Sequence, residues 1–259
     1  MSDKQVKSAT RAIEMLEYFK LAQQPRSMSE LAHDLGYPLS STTVLLKTLV
    51  KMGYVNYDRT RRVYFPTPKV TALGEWIPRA LFGAGQILDA LNDVHAATHE
   101  GVFIGAKNDI YLQYLKTKQS LHALRFHIEE GTVRPIIKSA AGWVLLSTLT
   151  DEKIENMVRR ANIAVGAPTE RVRIKDIFTE IEKIRRNGYA WAENVPFQGG
   201  ATLAILLDVQ VDNQPVTLAL GGAEQRMRQN ADKYLTVLRD AASTIRATPD
   251  FDTPIQIEI

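Results

Sequence analysis

Between residues 7 and 52 the apolar positions recur every three or four residues, the spacing of helices with one buried face. Residues 7–23 predict a first helix, with Ala12, Ile13, Leu16, Phe19 and Leu21 as its apolar positions. Ser8 serves as its N-cap, and Gln24-Pro25 ends it. Ser27 followed by Glu30 is the pattern of a capping box, opening a short helix through Leu31, Ala32 and Leu35. Gly36 supplies a turn and Pro38 stops helix continuation, so Ser40 or Ser41 is expected to cap the next helix. That helix buries Leu45, Leu46, Leu49, Val50 and Met52 and ends at Gly53. The period then drops to two. Tyr54, Val55 and Tyr57 predict one strand, Val63, Tyr64 and Phe65 a second, and Asp58–Arg62 the connection.

Short helix, tight turn, second helix and basic hairpin form, in that order, a winged helix-turn-helix, which lays its second helix in the DNA major groove. Ser40, Ser41, Thr43, Val44, Lys47 and Lys51 remain on the outer side of that helix. Arg59, Arg61 and Arg62 at the hairpin tip suit phosphate, which a guanidinium meets as a bidentate fork. The candidate DNA-binding residues are therefore Ser40, Ser41, Thr43, Val44, Lys47, Arg59, Arg61 and Arg62.

Beyond Thr67 the pattern changes. Residues 69–85 predict a linker helix interrupted by Pro78 and Gly83. A buried stripe of Leu81, Phe82, Ile87, Leu88, Leu91 and Val94 follows. Residues 102–137 are rich in strand signals: VFIGA, IYLQYLK and ALRFHI. Ser139–Leu149 predicts a compact apolar helix, and Asp151–Ala161 and Ile174–Asn187 predict amphipathic ones. Further strands are expected at Gly188–Ala192, Ala201–Val209 and Val216–Leu220, the last two joined by a turn at 212–215, and a last helix at Asn230–Ala247. Helices around an antiparallel sheet make an α+β domain able to enclose a small molecule. The expected organisation is a winged helix-turn-helix over 1–68, a linker helix over 69–85 and a ligand-binding domain over 86–259.

Composition adds bounds. The chain has 259 residues, 45% hydrophobic and 24% charged, as in ordinary globular proteins. It has no cysteine, which excludes disulfides, thiolate metal sites and thiol nucleophiles. No signal core and no run of about 18 apolar residues is present, so a cytoplasmic protein with no membrane partner is expected. Residues 1–75 carry +4 of the net +3, and the remainder carries −1. The excess positive charge thus lies in the segment expected to meet phosphate. His95 and His99 have the spacing of a metal-binding helix, but the neighbouring Glu100 would point elsewhere. No nucleophile elbow, phosphate loop or dinucleotide fingerprint is present, so no cofactor and no enzyme is expected.

Together these residues resemble the IclR-type family of bacterial transcription regulators over roughly residues 7–247. In the first domain the likeness rests on the Ser8–Leu16 helix, on ELAHDLGYPLSSTTVLLKTLVKMGYV and on the wing ending at Tyr64. In the second it rests on Arg134-Pro135 through Ser139-Ala140-Ala141-Gly142, on Ile184-Arg185-Arg186-Asn187-Gly188-Tyr189-Ala190 and on the strand Ala201–Leu207. The resemblance implies a C-terminal effector domain similar to GAF/PAS-like sheets. It also implies a homodimer or dimer of dimers on a palindromic double-stranded DNA operator, and a small-molecule effector, commonly a carboxylic or aromatic acid.

Two departures from the family pattern carry expectations. Val44 stands where the family's reading helix usually has an arginine, so Thr43 and Val44 would offer methyl contacts to thymine, with polar contacts from Ser40, Ser41 and Lys47. At the positions matching the family's polar pocket stand Ala192, Thr202, Ala219 and Gly221, of which only Thr202 keeps a hydroxyl. With Phe103, Ser139, Trp143 and Phe197 these are the candidate ligand residues, and they imply a larger, more apolar or aromatic ligand than a two- or three-carbon oxo-acid. Arg125, Arg134 and Lys138 are candidate carboxylate partners. The alternative from another class is a small-molecule-binding or enzymatic domain whose N-terminal module contacts protein instead of DNA.

Overall fold

The structure, a computed structural model, describes residues 6–77, 82, 85–165, 168–211 and 213–245. It divides into two compact units, 1–80 and 81–259.

In the first unit, helix α1 (Lys7–Ala22) leads through β1 (Arg26–Ser27) into α2 (Met28–Asp34) and α3 (Leu39–Lys51). The wing is β2 (Val55–Asp58) and β3 (Val63–Pro66), with β3 central in a three-stranded antiparallel sheet of order β1-β3-β2. Both arms of the capping box at α2 are present: Glu30 N–H donates to Ser27 Oγ, and Ser27 N–H to Glu30 Oε2 at 2.7 Å. The Ser27 backbone N–H holds the Glu30 carboxyl below its usual range. Gly36 makes the turn at φ +65° and Gly53 closes α3 at φ +79°, conformations glycine adopts without steric cost.

Met15, Phe19, Leu31, Leu46, Leu49 and Val55 form the core of this unit. Four expectations fail here. Ser8 lies inside α1, whose N-cap is Val6. Pro38, not a serine, is the N-cap of α3; its carbonyl accepts from Thr42 N–H, and the Ser41 hydroxyl bonds back to it at 2.9 Å. The fixed φ of proline sets the entry angle, which places both serines inside the helix. Ile13, Leu21 and Met52 are exposed, and Met15 takes the core position because α1 presents a face rotated from the one read in the sequence. The expected linker helix opens only as α4 (Lys69–Ala72), and a turn at Leu73–Trp76 follows. Pro78, Leu81 and Gly83 lie outside the described residues.

The second unit is a six-stranded antiparallel sheet of order β6-β5-β4-β9-β8-β7. Its strands are β4 (Gly101–Asn108), β5 (Tyr111–Lys118), β6 (Val133–Pro135), β7 (Tyr189–Glu193), β8 (Gly200–Val211) and β9 (Gln214–Ala223). Helices α5 (Gln86–Thr98) and α10 (Ala231–Thr244) cover one face, burying Leu91, Val94, Tyr234 and Leu238 against Ile104, Leu203 and Leu218. Helices α6 (Ala140–Ser147), α7 (Asp151–Ala164) and α8 (Ile174–Asn187) cover the other, burying Leu145, Ile154 and Ile181 against Leu112, Ala204 and Ala219. Burial on both faces explains why β4, β8 and β9 read as nearly continuous apolar runs.

Short helix α9 (Glu224–Gln229) precedes α10 and had no counterpart in the sequence reading. Gly188 belongs to no strand but closes α8 at φ +78°, and Arg185 donates to the Ser147 and Leu149 carbonyls at the end of α6. The segment ALRFHI is not a strand either: it lies in the extended loop between β5 and β6. Asp212 and the tail beyond Ile245 lie outside the described residues.

Candidate nucleic-acid interface and ligand cavity

On α3, Ser40, Val44 and Lys47 are exposed, Val44 by 66%, and Ser41 and Thr43 are half-buried. The Thr43 hydroxyl donates to the Leu39 carbonyl at 2.7 Å and keeps its oxygen as an acceptor. The wing loop is pinned by Asp58, whose Oδ1 accepts from the backbone N–H groups of Thr60 and Arg61 at 2.9 and 3.0 Å. Tyr57 and Tyr64 stack across β2 and β3 at 4.5 Å. Arg59, Arg61 and Arg62 stand exposed on this loop, and among the described residues no carboxylate pairs with them. The arrangement presents a fixed basic tip beside a reading helix with an apolar centre.

The second unit holds a narrow, largely closed cavity with ≈ 20 Å³ of free space inside. Phe103, Tyr114, Ser139, Thr202 and Gly221 line it from the sheet and the start of α6, and two loops close it. From the 119–131 loop comes Phe126, from the Asn194–Gly199 loop Phe197, and their rings stack at 4.9 Å, 3° from parallel. Gly200 lets this happen: a Cβ there would stand 2.9 Å from the Phe126 ring. Of the expected ligand residues, Phe103, Ser139, Phe197, Thr202 and Gly221 converge on this space. Trp143, Ala192 and Ala219 do not. Trp143 donates its indole N–H to the Ile137 carbonyl at 2.8 Å, and Ala192 and Ala219 lie in the core face on which α6 packs. Their small side chains seat that helix close to the sheet and open no space.

Both loops are built, not slack. Gln119 clasps Ile128 through two side-chain to backbone hydrogen bonds, and Ser120 Oγ and Leu121 N–H donate to the His99 carbonyl. His95 Nε2 bonds the Gln119 carbonyl at 2.8 Å, so the two histidines of the suspected metal pair serve this loop. Among the described residues no group of three metal-ligating side chains occurs. Asn194, at φ +59°, folds the second loop by accepting from Gly199 N–H at 2.8 Å.

Helix α9 grips both loops. Arg226 donates to both oxygens of Glu100, at 2.5 and 2.8 Å, and to the Leu124 carbonyl of the first loop. Glu224 accepts from Asn194 Nδ2 of the second loop. Glu100 is fully buried beneath Gly222, where a Cβ would stand within 3.0 Å of the carboxylate. Of the candidate carboxylate partners, Lys138 pairs with Glu170 at 3.1 Å and Arg125 is exposed, while Arg134 rests against two cavity walls. Tyr114, Phe126, Ile128, Val195 and Pro196 line the cavity without having been singled out in the sequence. The alternating apolar residues of ALRFHI were the available signal, since Phe126 and Ile128 turn inward there.

Comparison with known proteins bears on both units. The profile of the IclR helix-turn-helix domain matches residues 8–59, and that of the bacterial transcriptional regulator IclR C-terminal domain matches residues 85–247. The chain is 22% identical over 269 residues to the HTH-type transcriptional repressor AllR of Salmonella typhi, covering 98% of this chain and 94% of the relative. It is also 22% identical over 254 residues to the HTH-type transcriptional regulator KdgR of Dickeya chrysanthemi, covering 94% and 81%. Among solved structures, the effector domain of the putative transcriptional regulator IclR from Acinetobacter sp. ADP1 is 44% identical with a TM-score of 0.62, covering 66% of this chain and 99% of that one. The Thermotoga maritima IclR structure shares the fold at 18% identity with a TM-score of 0.76, covering 93% and 97%. With a helix-turn-helix unit, an effector-binding unit and both family profiles in register, this chain belongs to the IclR family of bacterial transcriptional regulators.

Proposed function

We propose that the chain is a ligand-responsive regulator that binds a palindromic operator as a homodimer or dimer of dimers and senses a small carboxylic acid with an apolar or aromatic body. The observation that carries this reading is the aromatic cavity in a chain whose other unit offers a reading helix and a free arginine wing. One helix and one wing read a half-site, and a two-fold homodimer repeats that reading as a palindrome. Four aromatic rings and only two aliphatic hydroxyls, on Ser139 and Thr202, line the cavity. A ligand alters DNA affinity only by its difference in affinity for the two arrangements of the reading helices.

The test is a titration of the intact protein on its own upstream intergenic DNA, with and without a panel of aromatic and short-chain carboxylic acids. Specific binding that one acid shifts supports the reading. No salt-dependent DNA affinity under any condition would favour the N-terminal unit as a protein-contact module instead. Changing Arg61 and Arg62 together to alanine is expected to weaken binding to all sequences and to make the log–log salt dependence shallower by about 2. An unchanged slope removes the wing from the interface. Val44→Ala is expected to relax preference for thymine at one operator position, measured by binding to a set of single-base variants. A flat result there assigns Val44 to the helix flank alone.

A further inference from the structure

Among the described residues, four cations around the cavity are paired with carboxylates. Arg226 is held by Glu100, Arg228 by Glu193 and Glu224, Lys138 by Glu170 and Lys116 by Glu130. Arg134, on β6, has no carboxylate partner among the described residues. Its guanidinium carbon lies 4.5 Å from the centre of the Phe197 ring and 5.9 Å from that of Tyr114, both of which are cavity walls. Its Nε–H is buried and meets no acceptor. The two rings attract the cation, the guanidinium hydrogen-bonds to the Tyr114 hydroxyl, and Nε–H is left without an acceptor. Arg134 is half-buried, so its charge acts on the apolar space more strongly than a fully solvated one would. Burial raises the Tyr114 hydroxyl pKa while Arg134 opposes that rise, so the two groups share one electrostatic environment at this wall.

We infer that Arg134 reads the negative charge of the ligand from behind the Tyr114–Phe197 wall, so that the cavity accepts a monoanion and discriminates against its neutral isostere. This rests on the reading that the cavity takes the effector. It assigns charge recognition to β6, away from the strand positions 192, 202, 219 and 221, which here carry no charge. For the anion to reach the guanidinium, Phe197 has to turn off its stack with Phe126, and the ligand's apolar body then replaces that ring contact. Arg134 is thus a specificity residue whose mark is the acid-to-amide preference of the site, a quantity that a packing role would not move.

The experiment is calorimetry on the full chain with matched pairs of probes: benzoate and benzamide, cyclohexanecarboxylate and its amide. Wild type is expected to bind at least one acid about tenfold or more tightly than its amide. Arg134→Met is expected to erase that ratio by weakening the acid and sparing the amide, and Arg134→Lys to keep part of it. Thermal unfolding checks that both variants fold, and the lysine variant carries the test if the methionine variant does not. A ratio unchanged in a folded variant, or a wild type that prefers the amide, overturns the inference and leaves the cavity as a ligand site. No binding of either member of any pair would overturn both this inference and the carboxylic-acid reading beneath it.

Discussion

Arg226→Met is expected to destabilise the second unit by about 3–5 kcal/mol, because it leaves a buried carboxylate without its counter-charge. Glu100 is 0% exposed, and Arg226 supplies N–H donors to both of its oxygens. The remaining neighbours cannot replace it: Tyr234 donates one long hydrogen bond at 3.4 Å, and His122 Nε2 stands 3.7 Å away. Methionine restores the bulk and removes only the charge and the donors. In thermal unfolding, a loss of this size corresponds to roughly 6–20 °C for a unit of this length. Glu100→Gln in the same chain is expected to recover part of the loss, since the uncompensated charge is then gone. A loss below about 1 kcal/mol for Arg226→Met would mean that water already reaches the carboxylate, contrary to its burial. The same substitution removes the hydrogen bond to Leu124, so the loop carrying Phe126 is expected to exchange its amide hydrogens faster.

Gly142→Ala is the second large effect, and its sign runs against helix propensity, which favours alanine by about 1 kcal/mol. Gly142 lies in α6, where a Cβ would stand 2.9 Å from the Ile136 carbonyl carbon and closer still to its oxygen. The obstacle is backbone, and Ile136 itself is fully buried, so neither side can rotate away. The expected cost is about 3 kcal/mol, at the upper end of ordinary overpacking. Urea unfolding of the intact chain measures it. The strain also reaches the cavity, because Ser139, which lines it, caps α6 by accepting from Gly142 N–H. Weaker ligand binding should therefore accompany the loss of stability. A variant as stable as wild type would show that α6 can slide off the 136–138 turn, and the packing argument would fail.

These two sites mark where sequence reading stopped. Glu100 was weighed only as a misplaced metal ligand beside His99, and its partner Arg226 lies 126 positions away. Gly142 stood out only as part of a family motif, and the Ile136 carbonyl that excludes its Cβ belongs to the preceding turn.

The sequence by itself determined whatever depends on neighbours a few residues apart. Ser27 and Glu30 cap one another, Gly36 and Gly53 take up left-handed turns, and Asp58 folds the wing loop, all within four positions along the chain. Such interactions form wherever the local chain forms, so the helix-turn-helix and its basic wing were legible residue by residue. Only the tertiary structure decided the cavity. Phe126 and Phe197 are 71 positions apart and meet because two loops, each tied to α9, fold over the same end of the sheet. Alternating apolar residues look alike whether they pair with a strand or roof a cavity, which is why ALRFHI read as a strand. Ala192 and Ala219 read as pocket because they match the family's polar pocket positions, and in the fold they lie in the core against α6. The free energy that separates such cases comes from what lies across the fold, and a pattern along the chain carries no term for it.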